Sequence, residues 1–205
     1  MNGDDLADRV RDDHETAFSR LGSSKALYAL TGGEMEAASV RAAAAADHHA
    51  VADVLDDWAM AEHGDAAPVF ADLAEETRDR AESLEPDGYE PGDDPDLYDR
   101  LAFEDGTPGR VGGLLGRYLV VSEYVGQMVG FFVGDADPKA ADEFRTLRSA
   151  VEDERDRIID LLDDVCESDD DWDAAGEAAD AVVEAAYDDY VETLESMGVK
   201  PKNVC

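Results

Sequence analysis

Basic charge is what this sequence has least of. Lysine occurs only at Lys25, Lys139, Lys200 and Lys202, and Lys and Arg together number 17 against 52 Asp and Glu, for a formal net charge of −35. A surface that acidic repels DNA, RNA and anionic lipid, so neither direct nucleic-acid contact nor membrane contact is expected. Cysteine is scarce as well. Cys166 and Cys205 are the only two and form no Cys-x-x-Cys pair, which excludes a disulfide framework. No apolar run reaches membrane-spanning length, since the longest candidate, Gly112 to Val133, is interrupted by Arg117, Glu123 and Gln127. The charged start, MNGDDLADRV, lacks the apolar stretch of a secretion signal. No run of alternating β-branched residues is bounded by turns, so no strand is expected. Phosphate-binding loops, dinucleotide fingerprints, Ser-His-Asp elbows and Asp-x-Asp-x-Asp-Gly calcium loops are all missing.

What is present is helical periodicity. The acids are interleaved with Ala, Leu and Val at helical spacing, and hydrophobic residues make up 44% of the 205, enough for one sizeable core. These apolar seams argue against disorder, the first alternative for so acidic a chain. High salt would screen the self-repulsion. The composition therefore suggests a cytoplasmic protein of a salt-accumulating halophile, with its acidic clusters as solvated faces.

Eight helical segments can be read along the chain. Asp4 to Arg20 and Ser24 to Leu30 form an N-terminal flank. A long helix (A) runs from about Glu34 to Glu62 through the helix-favouring RAAAAAD, and a second (B) runs from about Asp65 to Leu84, with Pro68 tolerable in its first turn. Glu85 to Gly109 is irregular and Pro-rich, with a short helix expected from Asp96 to Glu104 through Leu97, Leu101 and Phe103. Thr107-Pro108 and Asp137-Pro138 are cap-plus-proline starts for helices C (to about Val133) and D (to about Cys166). Trp172 to Met197 is a C-terminal helix, and GVKPKNVC is expected as a surface strap or a frayed end, with Cys205 exposed and Cys166 in the core. The fold class is all-α, in a single domain spanning 1–205 with its bundle core at about 34–166.

Polar residues interrupt the apolar stripe of each long helix. In D, residues Phe144, Leu147, Val151, Glu154, Ile158, Leu161 and Val165 alternate in steps of three and four, with Glu154 the one polar member. Asp47 interrupts the stripe of A, and Thr77 with Arg80 that of B. Glu123 falls on a second, glycine-bearing stripe of C with Gly116, Gly126 and Gly130, where close backbone approach is expected. A carboxylate on a buried seam is expensive unless paired. The alternatives are a helix rotated so that Asp47 and Glu154 reach water, and arginines at Arg80 and Arg157 that snorkel to the surface.

Two helix pairs joined by a long connection resemble the ferritin-like up-and-down four-helix bundle. The hexads EETRDR (75–80) and EDERDR (152–157) match at four of six positions, one in each half of the chain. This arrangement is similar to the rubrerythrin-like branch, in which helices B and D each carry Glu-x-x-His and helices A and C each add a Glu. The resemblance places those ligand positions on Thr77 and Arg80, on Glu154 and Arg157, near Asp47, and on Glu123. Both histidines are arginines here and one carboxylate is Thr, while a two-metal site wants about six N/O ligands. Arginine cannot deprotonate to ligate a metal. The reading is therefore a metal site replaced by an Arg–carboxylate layer of Asp47, Thr77, Arg80, Glu123, Glu154 and Arg157, with no catalytic residue and no cofactor. The chain would then serve as a binding or structural module for an unknown protein or small apolar ligand, with a homodimer compatible. One alternative is a metalloprotein with altered ligands drawn from Asp47, His48, His49, Glu123 and Glu154, holding iron or manganese for oxygen or peroxide chemistry. Another is a cytoplasmic helical chaperone or regulator that opens a groove at helix C.

Overall fold

The computed structural model describes residues 1–92 and 96–203. Among them lie nine helices and no strand. Three short helices come first: α1 (Gly3–Asp13), α2 (Glu15–Leu21) and α3 (Ser24–Leu30). The long ones follow as α4 (Ala37–Ala61) and α5 (Ala66–Leu84), then the short α6 (Asp96–Ala102), then α7 (Thr107–Gly134), α8 (Pro138–Val165) and α9 (Asp169–Ser196). No helix among the described residues is long and apolar enough to cross a membrane.

Local chemistry sets the ends. Asn2 opens α1 with a capping box, its side chain accepting from the Asp5 amide at 2.8 Å. The single N-terminal helix expected from Asp4 to Arg20 is split at His14, which leaves helical dihedrals. Asp137 caps α8 by accepting from the Ala140 amide at 3.0 Å. Thr107 does not act as the expected cap of α7. Thr107 is the first residue of α7 and donates to Glu62 at 3.0 Å, and Asp65 makes no side-chain cap bond. The acidic turn before Trp172 belongs to α9, because Ser168 and Asp171 form a second capping box.

The helices α4 and α5 pack as a hairpin, as do α7 and α8, and α9 lies along α7. The α7–α9 contact is close because α7 brings glycines to it. A β-carbon at Gly112 would collide with the backbone of Ala175, and one at Gly116 with that of Ala179. Both positions advance together, so the two helices run parallel. The approach expected at Gly126 and Gly130 does not occur; a β-carbon at either would meet nothing within 4 Å. The short α6 packs on α9 and α4, burying Leu97 and Leu101, while Phe103 beyond it is exposed. The described part of the tail is a strap, with the Lys202 amide donating to Tyr190 at 3.1 Å and Arg20 donating to the Lys202 carbonyl at 3.0 Å. Cys166 is buried; Cys205 lies outside the described residues.

Candidate functional site

Side chains from α4, α5, α7 and α8 meet in one buried polar layer. The helix α5 supplies Thr77 and Arg80, one turn apart and hence on one face. Thr77 is fully buried, and the α8 residue Glu154 is 2% exposed. Arg80 Nη2 lies 2.7 Å from Glu154 Oε1. A charge-assisted pair thus joins α5 to α8 at two of the positions picked out by the hexads.

A second pair joins α4 to α7. Arg117, fully buried, is paired with Asp47, and Asp47 also accepts from the Tyr98 hydroxyl of α6. Arg117 Nε donates to Tyr98 Oη at 3.3 Å, and the guanidinium carbon sits 4.9 Å from the Tyr118 ring centre. Burial alone would weaken the charge on Arg117, but Asp47 and the surrounding tyrosines hold its pKa well above the usual arginine value. Burial, then the charge of Glu154, raises the pKa of Tyr118 and keeps its hydroxyl protonated.

Between the two pairs stands His48, 1% exposed. Its Nδ1 is 2.9 Å from the Ala44 carbonyl, which can only accept, so the proton sits on Nδ1 and Nε2 carries a bare lone pair. Burial holds its pKa down at about 4, with Arg117 and Arg80 adding to the effect and Asp47 opposing it. His48 is therefore neutral near pH 7. The layer then carries two cations, Arg80 and Arg117, and two anions, Asp47 and Glu154.

Two expected members of the layer, Glu123 and Arg157, lie elsewhere, as does His49, a ligand of the alternative metal reading. Glu123 is five residues beyond Tyr118, about 140° around the helix, and faces α1 and α2. It accepts from Arg11 at 3.2 Å beside Gly22. Arg157 bridges the same helices as Arg80 but at the surface, reaching Glu76 at 2.7 Å. His49 points outward to Glu85 at 2.8 Å and stacks on Tyr89. On α4 the core face runs through Ala44, His48, Val51, Leu55 and Trp58, so Asp47 approaches from its edge, partly exposed. Arg117, Tyr118 and Tyr98 are the members that seam reading misses. Arg117 did carry a signal, as the one charge between Val111 and Ser122 on a helix apolar nearly all round.

The donor set does not fit a two-metal centre. Two permanent cations occupy the layer, and among the described residues no three His, Cys, Asp or Glu side chains gather where they could hold a metal. Compared with protein-family models, curated proteins and solved structures, the chain matches none.

Proposed function

We propose that this chain is a ferritin-like four-helix bundle of the rubrerythrin-like kind, made of α4, α5, α7 and α8, whose metal centre has given way to paired arginines and carboxylates. It works without catalysis, as a structural or binding module in the cytoplasm of a salt-accumulating cell. The observation that carries this reading is the pair Arg80–Glu154 at 2.7 Å. It places a guanidinium where the resemblance calls for a metal-binding imidazole, against the carboxylate that would have been its co-ligand. The long connection holding α6 supports the same topology, since such a segment lets the second hairpin begin at the far end of the bundle.

Elemental analysis of protein purified in molar salt without chelator tests the reading. The expected result is iron, manganese and zinc each far below one per chain, and stoichiometric metal refutes it. The halophilic setting has its own check. Dialysis from molar to low salt should reduce helical circular dichroism as the charge of −35 loses its screening, and an unchanged spectrum counts against that setting.

A further inference from the structure

Four buried polar atoms of the central layer find no partner within the protein, His48 Nε2, Thr77 Oγ1, Arg80 Nη1 and Arg117 Nη1, and the Glu154 carboxylate, met by Arg80 and the Tyr118 hydroxyl, has lone pairs to spare. They come from all four long helices that meet there. A buried polar group left unbonded gives up its hydration with nothing in return, and several in one place do not accord with a stable core. We infer that the layer is a binding site for water, holding a small internal cluster that completes the hydrogen bonding between the α4–α5 and α7–α8 hairpins.

Charge, hydrogen-bond sense and size all select water. Arg80 and Arg117 balance Asp47 and Glu154, so an ion of either sign would leave net charge in a buried region. The unbonded atoms are of mixed sense. The two guanidinium nitrogens and the Thr77 hydroxyl offer hydrogens, whereas His48 Nε2 and the spare lone pairs of Glu154 accept them. A halide only accepts and a metal ion only takes lone pairs; a water molecule serves both kinds of neighbour. A cavity of about 30 Å³ borders Asp47 and His48 and is otherwise lined largely by apolar side chains such as Leu97, Val121 and Met128. One water needs about 10–15 Å³, so this space, which reaches the layer at His48, suits about two and excludes larger ligands.

This assignment rests on the geometry of the layer and stands independently of the family reading. High-resolution diffraction from crystals of the full chain grown in molar sodium bromide, collected at the bromine edge, tests it. The expected result is two or more solvent peaks without anomalous signal, within hydrogen-bond reach of Glu154, Arg80 and the Thr77 hydroxyl. An anomalous bromide peak in the layer overturns the inference, and so do side chains closed directly on one another with no solvent between them. Neither result touches the proposed function, whereas a metal peak overturns both. In solution, NMR cross-relaxation should reveal long-lived water at the Thr77 methyl and the Tyr118 ring. The variant Thr77→Val keeps the shape of the side chain and drops its hydroxyl. It should weaken that signal and lower Tm; a higher Tm would mean that the hydroxyl was stranded dry and would overturn the inference.

Discussion

Two neighbouring residues of α7, Gly116 and Arg117, belong to opposite kinds of interface. Gly116 and Gly112 meet α9 backbone to backbone, over Ala179 and Ala175, with no polar group involved. Arg117, about 100° further around the helix, meets Asp47 of α4 in the buried layer, beside Tyr118 and the Arg80–Glu154 pair. The first interface is made by removing side chains, so its strength is dispersion and shape. The second is made by matching charges, so its strength depends on every partner being present. One should tolerate no added carbon, and the other no unpaired charge.

The polar interface should break hardest. Asp47→Ala leaves the guanidinium of Arg117 fully buried beside neutral neighbours and removes the acceptor of the Tyr98 hydroxyl. A loss of about 3–5 kcal/mol in unfolding free energy is expected, the range for breaking a buried pair from one side. Denaturant melts in molar salt, compared with the wild type, provide the measurement. A loss below about 1 kcal/mol would show that Arg117 finds water or another anion. The glycine interface comes next. Gly112→Ala adds one carbon where the Ala175 backbone already stands, and should cost about 1–3 kcal/mol, the usual range for overpacking. The matched control is Gly126→Ala, where a β-carbon meets open space and the better helix propensity of alanine should raise stability. Equal effects at the two glycines would remove the distinction between the interfaces.

Sequence periodicity carries the helices, their order and the polar interruption of the core, because burial on one helix face repeats every three or four residues. It singles out Thr77, Arg80 and Glu154, which lie together in the structure with Arg80 paired to Glu154. On the other two helices it leaves out members of that level, for a geometric reason. On α4 two adjacent stripes, one through Asp47 and one through His48, satisfy the spacing almost equally, and only packing decides that His48 faces inward. On α7 nearly every position is apolar, so periodicity has no contrast to work with and Glu123 stands out by its charge rather than its direction. Tyr98 reaches the layer from the connection between hairpins, whose path no local pattern encodes. Side-chain length explains Arg157, which sits one turn from Glu154 yet extends to the surface and Glu76.

The protonation state of His48 offers a reversible perturbation of the same layer. Its pKa, ordinarily 6.5, is held at about 4 by burial, with Arg117 and Arg80 assisting against Asp47. A base with a depressed folded pKa stabilises the protein above its unfolded pKa, and that contribution is lost as pH falls through the folded one. Stability should therefore decline between about pH 6.5 and pH 4 more steeply in the wild type than in His48→Gln, which cannot titrate there. Subtracting one urea-melt series from the other removes the carboxylates common to both. Parallel curves would mean that His48 charges as easily in the folded state as in the unfolded one.

The smallest effect expected belongs to the outer of two arginines that bridge the same pair of helices. Arg157 reaches Glu76 at 2.7 Å and Arg80 reaches Glu154 at 2.7 Å, so distance does not distinguish them. Burial does: the Arg157 and Glu76 side chains are 38% and 49% exposed, against 18% and 3% for Arg80 and Glu154. Water and salt screen the outer pair, so Arg157→Ala should cost less than about 1 kcal/mol, and less still at the ionic strength this acidic chain calls for. Arg80→Ala strands the Glu154 carboxylate in the core, at a cost approaching the 3–5 kcal/mol range for a buried pair, reduced by the partial exposure of Arg80. Raising the salt in a series of melts should shrink the Arg157→Ala effect toward zero and leave most of the Arg80→Ala effect in place. If both effects fade together, the inner pair is solvated like the outer one and the two helices are held by apolar packing alone.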